Sequence, residues 1–404
     1  MQILFLHDNF PAQFGVFGQY LARQGWDVWF GTQRKNSQLS GLKTFNYSPH
    51  REVTEKIHPY VGGFEKAVLN GQGFVRVALK MKEKGLSPDI VMAHSGWGPG
   101  LYAKDLWPRA KYVGYFEWYY TSQAPDIKFL NEKGRNLDDD LRTRTRNAAI
   151  QMDLTSCDAG IVPTSFQKAQ FPPCFSDKLI VMHDGIDTDT YKPSEKAGLQ
   201  LPNLDLSSVD ELITYVARGM EPYRGFPEFM KALEIILEKR PNAHAVIVGE
   251  DRVAYGRKLK EGDSYKKRAL EACNLDLNRV HFTGLLPRDQ YLKVLQASSV
   301  HVYFTIPFVL SWSMMESMSA GCAMVTSDVE PVWEMASDDE ERLVLVDHRQ
   351  PTEIADAVGR LLDDRDKASS LGAAARKFIV ENYSQRDIFA RKEAWLKTDV
   401  MQLC

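Results

Sequence analysis

The sequence predicts an α/β protein made of two Rossmann-like domains facing one another across a cleft. Three observations carry that expectation. Short apolar runs alternate with helical patterns along the chain, as parallel strands joined by crossover helices require. The alternation then breaks at 192–209 and starts again, giving two halves of nearly equal size. Finally, 404 residues are too many for one ordinary hydrophobic core.

In the first half the apolar runs place strands at 3–6, 27–30, 90–93, 112–116, 159–162 and 179–182. Helical periodicity fits 14–23, 64–84, 141–155 and 165–169. Residues 192–209 hold Pro193, Pro202 and mixed polar residues without periodicity, and read as the linker. Strands follow at 212–216, 245–248, 280–282, 300–303, 323–326 and 343–346. The expected domains are therefore 1–193 and 194–385. Ligands of such sheets bind beyond the carboxyl ends of the strands.

Composition removes several function classes. A net charge of −3 lacks the basic footprint of a nucleic-acid partner. No window approaches the ~18 apolar residues of a membrane span, and MQILFLHDNF reads as a first strand, too short for a signal peptide. Cys157, Cys174, Cys273, Cys322 and Cys404 are odd in number and scattered, as free thiols in a reducing cytoplasm are. P-loop, HExxH and GxSxG patterns are absent, so nucleotide hydrolysis, zinc proteolysis and α/β-hydrolase chemistry have no local support. Asp187-Thr188-Asp189 reads as a solvated turn, and the run Asp138–Asp140 with Arg142, Arg144 and Arg146 as a charged helix face.

Chemistry concentrates where strands end. The stretch 303–328 runs from an uncharged apolar segment into a short helix carrying Glu316, stopped by Ala320-Gly321 before a buried strand. The first amides of a helix have no intrahelical partner and sit at the positive end of its dipole. Amides around Ser313, Met314 and Met315 can cradle a diphosphate, with Glu316 one turn deeper to accept from ribose hydroxyls. In ARGMEPYRG, Arg218 and Arg224 flank a strand end and a helix start, where planar guanidinium forks match phosphate oxygens. Alternatively both arginines are surface groups paired with Glu221 or Glu228. Gly284 and the residues after it can border a nucleobase, and Gly15 marks a close approach at a helix entry. His94 ends a strand beside Gly96, Gly98 and Gly100, placed to bond a sugar or move a proton. Glu117, Trp118 and Tyr119 offer an acceptor surface for a glycan, a packed strand end being the alternative.

Taken in order, MAHSGWG, PTSFQKAQF, HDGIDTDTYKP, VARGMEPYRG, VIVGED, VHFTGLLPRDQ and MMESMSAGCAMVTSD resemble the GT-B fold glycosyltransferases, specifically the retaining family 4. The resemblance covers nearly the whole chain. It implies that Arg218 and Arg224, the latter at the usual lysine, bind the donor diphosphate; that Glu316 holds the ribose; and that His94 lies against the donor sugar. Gly15 would approach the phosphates or acceptor, Gly284 and Leu286 would border the base, and 386–404 would return to the N-terminal domain. One departure stands out: the family has two glutamates separated by seven residues, and Phe308 occupies the first position.

The implied reaction moves a sugar from a nucleotide-diphosphate sugar to an acceptor hydroxyl with retention, without metal or cofactor. Catalytic roles would fall to His94, Arg218 and Arg224. The acceptor would be a glycan, a lipid-linked oligosaccharide or a protein. The expected location is the cytoplasm, with peripheral contact at the inner membrane face left open. Three rivals share the fold: a nucleotide-sugar epimerase, a non-catalytic nucleotide-sugar binder, and a phosphorylase with a Lys-bound pyridoxal, for which no motif stands in the chain.

Overall fold

Each half of the computed structural model is a doubly wound parallel sheet, and the structure describes residues 1–130, 135–194, 198–336 and 341–403. Cys404, counted above among the thiols, lies outside the described residues. The chain divides into two compact units, Met1–Asp184 with Asp387–Cys404, and Gly185–Arg386. The division thus falls at Asp184/Gly185, where the sequence reading drew it at 193/194.

The first unit contains β1 (Gln2–Leu6), β2 (Asp27–Thr32), β3 (Leu42–Asn46), β4 (Ile90–His94), β5 (Lys111–Tyr115), β6 (Ala159–Val162) and β7 (Leu179–Val181). Their order is β3-β2-β1-β4-β5-β6-β7, all parallel. Strand side chains alternate between faces, so Ile3 and Phe5 enter one core layer while Leu4 and Leu6 enter the other. Both faces being covered explains why these strands read as continuous apolar runs. Ile388, Phe389, Leu396 and Val400 complete the layer of Ile3 and Phe5, so the chain end packs as part of this unit.

The second unit carries β10 (Leu212–Gly219), β11 (His244–Glu250), β12 (Val280–Gly284), β13 (Val300–Tyr303), β14 (Met324–Ser327) and β15 (Val344–Val346), in the order β12-β11-β10-β13-β14-β15. The segment read as a linker instead holds an antiparallel hairpin, β8 (Leu199–Leu201) and β9 (Leu204–Leu206). Its leucines recur at period two, and Leu199 and Leu206 are buried against Leu212, Val246 and Val294. The helix expected over 141–155 is two helices, Leu137–Thr145 and Ala148–Ser156. Between them the Asn147 side chain accepts from the Tyr120 N–H at 2.8 Å and donates to the Tyr120 carbonyl at 2.6 Å, fastening the break to the 116–124 loop. Asp187 accepts from the Thr190 amide and hydroxyl and pairs with Arg288, a turn as read.

Candidate active site

A doubly wound sheet opens a crevice where the strand order reverses, because the crossovers on either side leave by opposite faces. In the second unit that point lies between β10 and β13. Beyond β10 the chain passes Arg218, Glu221 and a short turn, Pro222–Arg224, before the helix Phe226–Lys239. Gly225 joins turn to helix at φ 59°, and a Cβ there would stand 2.7 Å from Phe304 Cβ. Only glycine meets both demands.

Arg224 is buried, and its guanidinium reaches across to the end of β13. Nη1 donates to Thr305 Oγ1 at 2.7 Å and to Tyr303 Oη at 3.2 Å, and Nη2 donates to the Val309 carbonyl at 3.2 Å. Tyr303 Oη also accepts from the Ser311 N–H at 3.0 Å, and Ser311 is the N-cap of the helix Trp312–Ser319. One tyrosine hydroxyl therefore ties the guanidinium to the helix start. Arg218 is exposed, and neither arginine forms an ion pair among the described residues. Two positive charges and a helix N-terminus thus sit at one switch point without a neutralising carboxylate.

The pairing of these arginines with Glu221, offered as an alternative above, does not occur. Glu221 is fully buried and accepts from the backbone of the next loop: Ala254 N–H at 2.8 Å, Tyr255 N–H at 3.1 Å and Gly256 N–H at 2.8 Å. That loop brings the Tyr255 ring 5.1 Å from the Arg224 guanidinium. Phe308 fills the space between Tyr255 and Tyr223, edge-on to both at 5.5 and 5.3 Å. Glu221→Gln leaves one side of this cradle with a donor facing donors. We expect it to lower unfolding free energy by about 1–3 kcal/mol in urea denaturation.

Glu316 is half-buried and accepts from Tyr291 Oη at 2.9 Å. Burial pushes its carboxyl above the usual range, opposed by Tyr291, Tyr191 and Arg288. Met314 and Met315 are buried as side chains, so only their backbone can face a ligand. The Ser313 N–H already meets Ser311 Oγ at 3.3 Å and the Met314 N–H meets the Ser311 carbonyl at 3.2 Å. An anion there would displace the Ser311 cap. Gly284 closes β12 at φ 69° with open space where a Cβ would stand, and Leu286 packs partly into the apolar cluster of the hairpin.

In the first unit the strand order reverses between β1 and β4, and ionisable groups gather there too. His94 ends β4, buried; its Nδ1 lies 3.0 Å from the Ser95 carbonyl and its Nε2 3.5 Å from Glu117 Oε2. Gln13 Nε2 donates to the other Glu117 oxygen at 2.9 Å. The His7 ring stands 4.7 Å from the His94 ring, and burial pulls its pKa down to about 3. Behind His94, buried Asp153 accepts from Ser95 Oγ at 2.8 Å, Gly96 N–H at 3.2 Å and Tyr112 Oη at 2.7 Å, fixing the turn. At Gly98, φ is 105° and a Cβ would collide with the Ala67 carbonyl.

One expectation fails in this unit. Trp118 and Tyr119 are not an acceptor surface: Trp118 is buried against Phe166, and Tyr119 joins the core beside Phe171 with its hydroxyl bonded by Gln151. Aromatic density at a strand end served packing, and Glu117 alone of the three stays partly exposed. At Gly15 a Cβ would stand 2.3 Å from Pro11, so packing within the loop already requires a glycine there. Sequence reasoning also missed His7 and Asp153, and it gave Glu221 only as a partner for the arginines. His7 had a signal, since a histidine follows the first strand as His94 closes the fourth; the two carboxylates, buried among apolar residues, had none.

Comparison with known proteins adds the following. Residues 24–191 match the profile of the glycosyl transferase family 4 group, and residues 202–378 that of glycosyl transferases group 1. A D-inositol 3-phosphate glycosyltransferase of Corynebacterium aurimucosum is 25% identical over 252 residues, 60% of this chain and 57% of that protein. A GDP-mannose-dependent alpha-(1-6)-phosphatidylinositol monomannoside mannosyltransferase of Mycobacterium tuberculosis is 25% identical over 248 residues, 58% and 60% of the two chains. The chain thus spans about half the length of the curated relatives it matches. Among solved structures, a sucrose-phosphate synthase of Thermosynechococcus elongatus superposes with TM-score 0.71 at 18% identity over 98% of each chain. Anabaena HepE in complex with UDP-glucose gives TM-score 0.68 at 15% identity, over 98% of this chain and 100% of that one. Both have the GT-B fold, and so does this protein. No helix among the described residues is long and apolar enough to cross a membrane.

Proposed function

Since the chain belongs to the group 1 glycosyltransferases, with a family 4 region in its N-terminal half, we propose that it transfers a sugar from a nucleoside diphosphate sugar to an acceptor hydroxyl. One observation carries the reading: Arg224 and the Ser311-capped helix share Tyr303 Oη at the switch point of the second sheet, with no carboxylate among the described residues to neutralise the guanidinium. As the glycosidic bond breaks, the departing diphosphate gains charge. Fixed cations and helix amides stabilise that charge most when they are held in place before reaction. Arg224 is so held by Thr305, Tyr303 and Val309, while exposed Arg218 is free to close on the phosphates. These groups take the role a divalent cation plays elsewhere. Glu316 exchanges Tyr291 for the ribose hydroxyls, and Gly284 with Leu286 borders the base. The anomeric configuration is retained, and His94 is the first unit's candidate for proton transfer.

The donor base is open: HepE was solved with UDP-glucose, and the mycobacterial relative is GDP-mannose-dependent. The corynebacterial relative is named for D-inositol 3-phosphate and the mycobacterial one for phosphatidylinositol monomannoside, which favours a polyhydroxylated acceptor, free or lipid-linked, handled in the cytoplasm or at its membrane face. Phe308 favours a second reading, a nucleotide-sugar binder without turnover, because it offers sugar hydroxyls no carboxylate to accept their hydrogen bonds. A thermal-shift panel of nucleotide sugars separates the cases. The true donor at 100-fold its Kd should add about 2.7 kcal/mol of stability. Stabilisation followed by sugar transfer supports the enzyme, stabilisation with no product from any acceptor the binder, and no stabilisation by any member rejects both.

A further inference from the structure

The crevice of the first unit contains a buried histidine set between two hydrogen-bond acceptors. His94 Nδ1 faces the Ser95 carbonyl at 3.0 Å, and Nε2 faces Glu117 Oε2 at 3.5 Å. A carbonyl and an ionised carboxylate only accept hydrogen bonds. A neutral imidazole carries one N–H and satisfies one of them; only the imidazolium satisfies both.

We propose that Glu117 is a positioning residue that holds His94 as a buried imidazolium, so that an anionic or hydroxyl oxygen of the ligand entering beside Glu117 Oε2 meets a protonated Nε2. The idea deepens the transferase reading and rests on it for its kinetic test alone.

Glu117 is built for this task. Gln13 Nε2 donates to Oε1 at 2.9 Å, which turns Oε2 toward His94, and Gln167 Nε2 fixes the Glu117 carbonyl at 2.8 Å. The ionisable neighbours on every side fit a single positive charge. From the end of β1, His7 accepts the Asn9 N–H on Nδ1 at 2.9 Å and stays neutral, its pKa about 3. Asp8 on the same loop is bonded by Tyr47 and Asn70. From β5, the Tyr115 ring lies 5.3 Å from His94, and its hydroxyl donates to Asp184, which Lys392 approaches at 3.6 Å. Asp153 lies behind the Ser95–Gly96 turn, and the Trp97 ring stands 6.2 Å away. Burial pulls the His94 pKa down, yet the Glu117 carboxylate outweighs it, and the net direction is upward. His94 is therefore charged below its raised pKa and loses the proton as pH rises through it.

The direct test follows the His94 Cε1–H resonance in full-length protein carrying labelled histidine, from about pH 5 to pH 9, assigned by its loss in His94→Gln. In Glu117→Gln the His94 midpoint should fall by about one unit or more, and Glu117→Asp should restore most of it. With a donor from the thermal-shift panel, the alkaline limb of kcat/KM should move down by the same amount in Glu117→Gln. An unchanged His94 midpoint overturns the proposal, as does a lowered kcat/KM whose alkaline limb stays in place. A shifted midpoint in a protein that transfers no sugar upholds the pair while sinking the transferase reading. An unshifted midpoint in an active enzyme does the reverse.

Discussion

Arg224→Ala is expected to cut kcat by about two orders of magnitude or more, the size of losing one preorganised donor to a developing charge. The side chain has a second duty that sharpens the test. Its three hydrogen bonds, to Tyr303, Thr305 and the Val309 carbonyl, hold the segment that leads into the Ser311 cap. Losing them should also cost on the order of 3 kcal/mol of stability, since bonds from a charged donor exceed neutral ones. Arg224→Lys separates the duties. It keeps the charge and loses the fork, so the segment loosens while a point charge remains for the diphosphate. We expect turnover between the wild type and Arg224→Ala, read as kcat with the identified donor. Near-normal turnover in a folded Arg224→Ala enzyme would refute the phosphate role.

Lys392→Met should destabilise the first unit by about 3–5 kcal/mol, because it strands a buried carboxylate. Both Lys392 and Asp184 are almost fully buried, 3.6 Å apart, and burial holds the lysine below its ordinary pKa while Asp184 pulls it up. Asp184 Oδ2 accepts from Tyr115 Oη at 2.7 Å, whereas Oδ1 has no hydrogen-bond partner among the described residues. Lys392 is thus its charge compensation. Adding Asp184→Asn to Lys392→Met removes the second charge and should recover most of the loss, since neutral replacement of a buried pair is often nearly free. Urea denaturation of the single and double variants checks this. A single variant as stable as the wild type would show that the pair contributes nothing.

The parts of this protein that were legible in the sequence are those where local and tertiary demands agree. The 303–328 stretch folds as read, with the helix Trp312–Ser319, Gly321 at φ 79° and β14 in succession, because capping, stop signal and apolar run point the same way. The positions of Arg218 and Arg224 at a strand end followed from the same logic, but burial of Arg224 did not. It depends on Tyr303 and Thr305, some eighty residues away in sequence. Strand β3 escaped notice because LKTFN has one buried residue, a sheet-edge pattern too polar to read. The hairpin at 199–206 was hidden by Pro202, a turn residue taken for linker chemistry. Trp118 and Tyr119 went wrong for the opposite reason: aromatic rings serve sugars and cores equally well, and only the fold decides.

Ile388, Phe389, Leu396 and Val400 fill the layer founded by Ile3 and Phe5, and Trp26 Nε1 donates to Glu393 at 3.0 Å. During synthesis, then, the unit built around Ile3 and Phe5 cannot seal its hydrophobic interior until residues 388–400 have been made. Residues 185–386 are translated in between, so a stop near residue 387 would leave the layer of Ile3 and Phe5 open.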